Sequence, residues 1–203
     1  MEAIRVDNVT KHFNGKKVID GLTFEVKENT ILGFVGPNGA GKTTTMKMIL
    51  GLLQIDEGSI YVYDQKVTNG HTKTNEVIGY LPDVPEFYNY MTPFQYLNFC
   101  AEIAGINKNE INERCNELLD IVGLKKVNKK IGGFSRGMKQ RLGIAQALIN
   151  KPKILICDEP TSALDPIGRK EILDILKKIK KDTTIIFSTH ILSDVVSVCD
   201  DVL

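Results

Sequence analysis

Eight consecutive residues, Gly36-Pro37-Asn38-Gly39-Ala40-Gly41-Lys42-Thr43, fit the pattern GxxxxGK(S/T). Glycines in such a run let consecutive backbone N–H groups turn inward as a nest for phosphate oxygens. A helix opening after the loop presents its positive end to the same anion. Lys42 then neutralises the β- and γ-phosphates, and the Thr43 hydroxyl, with Thr44 following, reaches Mg²⁺. A chance match in a chain of this length and ordinary glycine content is on the order of 1%. The plainer reading is a glycine-rich turn between a strand and a helix. The apolar strand before it and the helical pattern after it are what the binding motif requires, and they decide for a nucleotide.

A second constellation follows the apolar strand Lys153 to Cys157, which ends in Asp158-Glu159. The strand delivers Asp158 to its carboxyl edge, where it can hold the water shell of Mg²⁺. Glu159 is then placed to polarise an attacking water as general base. An acidic pair after a strand is weak evidence alone, because many loops begin that way. Joined to a phosphate loop it becomes strong.

The elements that must position these residues can be read from periodicity. Ala3 to Val9 and Leu22 to Val26 alternate as half-buried strands, and Thr30 to Val35 is a short apolar strand entering the glycine loop. Met46, Ile49 and Leu50 lie on one helical face, closed by Gly51. Ser59 to Tyr63 and Val77 to Leu81 are strand-like. After Pro82 the strand signal fades, and helices are expected at Phe94 to Ala104, Asn109 to Val122, and from Ser135 to near Asn150. Strand Lys153 to Cys157 resumes the core. A helix with Ile172, Ile175, Leu176 and Ile179 on one face follows, then strand Thr183 to Phe187 and helix Ile191 to Cys199. Alternation of this kind predicts an α/β fold: a P-loop core with a mostly parallel sheet and N-terminal antiparallel strands. The core is expected over 1–82 and 151–203, with an inserted helical subdomain over 83–150.

Composition narrows the function. The 203 residues are 42% hydrophobic and 25% charged, and 26 Lys and Arg against 25 Asp and Glu leave a net charge of +1. Nothing there calls for direct nucleic-acid binding, which leaves a basic footprint. Apolar runs such as Ile154 to Cys157 are far shorter than the roughly 20 residues a membrane-spanning helix needs. The N-terminus lacks the apolar stretch of a signal peptide. Cysteines at 100, 115, 157 and 199 form no CxxC pair or Cys/His cluster, so reduced thiols are expected.

The order and spacing of these motifs resemble the ATP-binding cassette family over essentially the whole chain. Where that family carries its LSGGQ signature, this chain has Phe134-Ser135-Arg136-Gly137-Met138, followed by Lys139-Gln140-Arg141. The resemblance implies that Ser135 and Gly137, at a helix start, face the γ-phosphate held by a second cassette. Without a partner, Ser135 is simply an N-cap. Ser162 to Asp165 resembles the loop that crosses the dimer interface. His190, after Phe187-Ser188-Thr189, resembles the switch histidine on the γ-phosphate, whereas His12 and His71 read as ordinary surface or core residues. Phe13, which stands 23 residues before Gly36, matches the ring that stacks on adenine. Its alternative is core packing. Many members have Gln where this chain has Asp83, a residue that contacts Mg²⁺. The acidic replacement and the altered signature resemble the drug- and antibiotic-efflux branch.

The family resemblance implies an ATPase that closes a dimer over two Mg·ATP and drives transport, most simply export, through a separate transmembrane permease subunit. It would sit on the cytoplasmic face of the membrane, held there by the permease. A soluble cassette remodelling a nucleic-acid or ribosomal partner usually carries long coiled coils or two fused cassettes, and neither is present here. A binding module without turnover usually lacks Glu159 or His190. Asp200 to Leu203 read as the start of another strand, so the sequence is expected to be a truncated or minimal cassette.

Overall fold

The computed structural model describes residues 1–71 and 73–203. It contains two sheets. The first is antiparallel, with β1 (Glu2–Phe13), β2 (Lys16–Lys27), β4 (Glu57–Val62) and β5 (Gln65–Lys66) in the order β2-β1-β4-β5. The second holds β3 (Ile31–Val35), β6 (Ile78–Leu81), β7 (Ile154–Cys157), β8 (Thr184–Thr189) and β9 (Asp201–Val202), ordered β6-β7-β8-β3-β9, and every pairing in it is parallel.

Strand parity explains why the parallel sheet is a buried middle layer. Leu155 and Cys157 of β7, and Ile185 and Phe187 of β8, join one apolar cluster; Ile154, Ile156 and Ile186 join the other. Both faces are covered, so these strands read as continuous apolar runs rather than alternating ones. One cluster packs the sheet against α1 (Lys42–Ile49) and the antiparallel sheet. The other packs it against α2 (Pro93–Ile103), α3 (Lys108–Ile121), α4 (Arg136–Ala147), α5 (Pro166–Ile179) and α6 (Leu192–Val198). Leu97 of α2, Leu118 of α3 and Leu142 of α4 belong to the same cluster as Leu155, so the three helices after β6 share a core with the sheet. The approach is close at Gly79, where an added Cβ would lie 2.2 Å from the Ala147 carbonyl oxygen.

Helix starts follow local chemistry. Thr92 and Gln95 form a capping box on α2, with Pro93 in its first turn. Asp165 caps α5 through the Gly168 N–H, and Ser135 caps α4 through Met138 N–H. Among the described residues no helix is long and apolar enough to cross a membrane.

Three features depart from the sequence expectation. β1 and β2 span 12 residues each, more than the alternating stretches suggest. Irregular register along β1 buries Val9, Thr10 and Lys11 in succession, and this erases the two-residue period. The strand β5 follows a turn in which Tyr63 (φ 46°) and Asp64 (φ 61°) are both left-handed, a hairpin geometry without the usual Asn-Gly signal. Finally, α4 ends at Ala147, short of Asn150. The Arg114 guanidinium donates to the Leu148 and Ile149 carbonyls, which satisfies the helix end and lets the chain turn into β7.

Candidate functional site

Register brings the chemistry to one edge. Val35 of β3 pairs with Thr189 of β8, and Cys157 of β7 pairs with Phe187. The glycine loop, Asp158-Glu159 and His190 therefore leave three neighbouring strands at one level, at the carboxyl ends where open α/β sheets bind ligands. Gly41 sits at φ 91°, a left-handed conformation that L side chains rarely adopt, and α1 begins with the next residue.

The side chains converge accordingly. Lys42 is 6% exposed; its Nζ donates to the carbonyls of Gly36 at 2.6 Å and Pro37 at 3.2 Å and lies 3.3 Å from Glu159 Oε1. Thr43 Oγ1 donates to Asp158 Oδ2 at 2.7 Å. Ser188 Oγ donates to Asp158 Oδ1 at 2.7 Å and accepts from the Glu159 N–H at 2.8 Å. Glu159 Oε2 is 2.9 Å from His190 Nδ1, and its backbone is left-handed at φ 49°. Glu159 Oε1 is buried and makes no hydrogen bond, its one charged neighbour being the Lys42 ammonium at 3.3 Å.

A cavity of about 470 Å³ opens over this network. Phe13 and Val18 line it from the first hairpin, the loop contributes Asn38, Gly39 and Gly41 to Thr44, and Asp83, Asp158 and Glu159 close it. Phe13 is 43% exposed, with Lys11 Nζ 5.5 Å from its ring centroid. The donor set suits nucleotide and metal alike. A cation and a glycine-rich turn face one region, and the hard oxygens of Thr43, Asp158 and Asp83 are the type Mg²⁺ takes alongside phosphate and water. The buried Glu159 Oε1, held only by the Lys42 ammonium at 3.3 Å, lies in the same place.

The ABC transporter family profile matches residues 19–162. The chain belongs to the ABC transporter family. Among the cassette's relatives is the uncharacterized ABC transporter ATP-binding protein YxlF of Bacillus subtilis, 44% identical over 98% of this chain and 66% of the relative. The bacitracin transport ATP-binding protein BcrA of Bacillus licheniformis is 42% identical over 98% of this chain and 65% of its own length. The cassette thus spans about two thirds of the length of these relatives. The solved structure of cbiO1 from Clostridium perfringens, described as part of the ABC transporter complex cbiONQ, superposes with a TM-score of 0.92 at 28% identity. The match covers 99% of this chain and 83% of that one. Family and fold are those expected from the motifs, and the family implies ATP binding.

The cassette brings together around one cavity Phe13, Asn38, Gly39, Gly41, Lys42, Thr43, Thr44, Asp83, Asp158 and Glu159 of the residues singled out from sequence. His190 joins them through Glu159. Gly36 and Pro37 turn their carbonyls to Lys42, and a Cβ added at Gly36 would lie 3.2 Å from the Ala40 Cβ. Ser135 and Gly137 do not line this cavity; they open α4.

Sequence reasoning missed the contacts that four residues make, Ser188, Arg136, Gln140 and Asp56. Ser188 is identifiable only through the β7–β8 register. Arg136 pairs with Asp83 at 3.0 Å, and the buried Gln140 side chain donates to the Asp83 carbonyl at 2.7 Å. Burial pushes the Asp83 carboxyl up, Arg136 pulls it back down, and the Asp158 and Glu159 carboxylates add to the rise, for a net upward shift. Asp56 clamps the strand end before Phe13, accepting from Lys11 Nζ at 2.6 Å and from the His12 N–H at 2.6 Å. Each partnership spans 29 residues or more of chain, beyond the reach of a local pattern.

Proposed function

We propose that this cassette binds Mg·ATP, hydrolyses it, and is the ATP-driven subunit of a transporter whose membrane-spanning permease is a separate chain. The observation that carries the reading is the linked set Thr43–Asp158 at 2.7 Å, Lys42–Glu159 at 3.3 Å and Glu159–His190 at 2.9 Å beneath one cavity. Lys42 holds the β- and γ-phosphates, and Phe13 stacks on the adenine. Thr43, Asp158 and Asp83 hold the metal. Mg²⁺, when bound, neutralises charge building on the phosphates. Glu159 takes the proton of the attacking water at a carboxylate oxygen, and His190 orients that carboxylate through its Nδ1.

Two cassettes are proposed to close face to face, each offering Ser135 and Gly137 at the start of α4 to the nucleotide held by the other. The helical stretch 83–150 forms the lobe that carries this signature, set into the core of 1–82 and 151–203. An exporting role is supported by relatives named for bacitracin transport and, in Bacillus subtilis, linearmycin resistance. A permease partner is supported by the description of cbiO1 as part of a transporter complex. The cassette would then work on the cytoplasmic face of the membrane.

Phosphate release by the purified chain, measured with Mg·ATP and again with the metal chelated, tests the chemistry. Metal-dependent release is expected, and its absence together with absent nucleotide binding refutes the reading. Co-purification with a polytopic membrane protein tests the transport role.

A further inference from the structure

We infer that Ser188 is a positioning residue for hydrolysis, fixing the metal-side carboxylate of Asp158 and the backbone of the base Glu159 with one hydroxyl. The inference rests on the reading above and assigns a role to a residue that reading does not use.

Ser188 is 0% exposed and lies one step beyond the Cys157–Phe187 pairing of β7 and β8. A hydroxyl has one proton to give, and the direction of each of its bonds here is forced. The Glu159 N–H can only donate, so Ser188 Oγ accepts it at 2.8 Å. The hydroxyl proton then goes to Asp158 Oδ1 at 2.7 Å. Thr43 Oγ1 already donates to the other oxygen, Asp158 Oδ2. Asp158 is therefore held from two sides, with Thr43 on the cavity side and Ser188 on the buried side. Of the two, Thr43 is the one assigned to the metal, so Ser188 is the anchor that remains when the metal is held.

The second bond bears on Glu159, whose φ of 49° is unusual for a residue with a side chain. Such a backbone persists only where its surroundings hold it. Ser188 captures its N–H, while its carboxylate reaches His190 Nδ1 at 2.9 Å and Lys42 Nζ at 3.3 Å. One hydroxyl thus sets the relative placement of two successive residues with different tasks. A serine needed only to fill space would not engage the polar groups of both.

The test compares Ser188→Ala and Ser188→Thr with the parent chain. The first readout is equilibrium binding of a non-hydrolysable ATP analogue with and without Mg²⁺; the second is steady-state phosphate release. Loss of a partner that orients a metal-holding group typically costs about 10- to 100-fold in metal affinity or activity. Ser188→Ala should lose about tenfold or more of the tightening that Mg²⁺ gives to analogue binding, and kcat should fall by a similar factor. Metal-free affinity should stay within about twofold, and KM for Mg·ATP should rise in step with the lost Mg²⁺ tightening. Ser188→Thr, which keeps the hydroxyl, should restore both. Parent-like Mg²⁺ tightening and kcat in Ser188→Ala overturn the inference. So does equal loss of metal-free and metal-bound affinity, or a folded Ser188→Thr as defective as Ser188→Ala. A parent chain that binds and hydrolyses nothing refutes instead the ATPase reading beneath it.

Discussion

Replacing Glu159 by Gln should separate binding from turnover, and the structure supplies the contacts from which the binding effect is worked. The carboxamide has nearly the shape of the carboxylate and retains an oxygen for one of the two contacts, to His190 at 2.9 Å or to Lys42 at 3.3 Å. It cannot take a proton from water. A positioned general base contributes about 10²- to 10⁴-fold in rate, so the barrier should rise by roughly 3–5.5 kcal/mol. Binding should respond in the opposite sense. Before Lys42 can hold phosphate, its pairing with Glu159 must loosen. At 3.3 Å the gross attraction is about 5 kcal/mol at an effective dielectric near 20, most of it offset by the cost of burying both charges. Neutralising Glu159 therefore leaves ATP affinity unchanged or up to about tenfold tighter, since a factor of ten is about 1.4 kcal/mol.

Phosphate release and an equilibrium titration read these two quantities separately, and size exclusion with Mg·ATP reads the third consequence, a trapped dimer. Turnover within about threefold of the parent removes Glu159 from the role of base, because the loss of a base is worth at least about a hundredfold. A fall in affinity by tenfold or more would mean that the Glu159–Lys42 pair shapes the phosphate loop instead of competing for it.

Lys42→Ala removes the charge and the bonds to the Gly36 and Pro37 carbonyls. Charge-assisted hydrogen bonds are worth about 1.5–3 kcal/mol, so ATP affinity should drop at least tenfold to a hundredfold by titration, and unchanged affinity would displace the phosphate loop from its role. The Asp56 carboxyl is held down to about 2, first by its hydrogen bond from Lys11 and next by the His12 N–H. Its unfolded value is near 4, so the stability it confers is complete above about pH 4 and is lost as pH falls toward 2. Asp56→Asn should flatten the fall in melting temperature across that window, and an unaltered slope would refute the clamp. Gly79→Ala forces a Cβ to 2.2 Å from the Ala147 carbonyl oxygen, a backbone atom that cannot rotate away. Overpacking of this kind costs about 1–3 kcal/mol, which lowers the midpoint by roughly 2–12 °C for a chain of this size; parent-like melting would mean that α4 and β6 are not so tightly docked.

The site was legible wherever its chemistry is carried by consecutive residues. Gly36 to Thr43, the Asp158-Glu159 pair and the Ser135 cap are each a local pattern whose backbone requirements appear in the residues themselves. The helices were legible for a related reason, since Ile172, Ile175, Leu176 and Ile179 repeat with the helical period and are all buried. What sequence cannot express is which strand lies beside which. β8 sits between β7 and β3, although Thr184 follows Val35 by 149 positions along the chain. That order puts Ser188 against Asp158 and Glu159, and His190 beside Glu159. The irregular register of β1 hides its full length in the same way, and it leaves Lys11 and His12 free to meet Asp56 from 45 and 44 residues away. Motifs therefore named the groups proposed to touch nucleotide, while Ser188, which holds two of them in place, came only from the pairing of strands. Because Ser188 contacts Asp158 and Glu159 and does not line the cavity, its replacement should lower kcat and the Mg²⁺-dependent part of nucleotide binding while leaving metal-free affinity nearly unchanged.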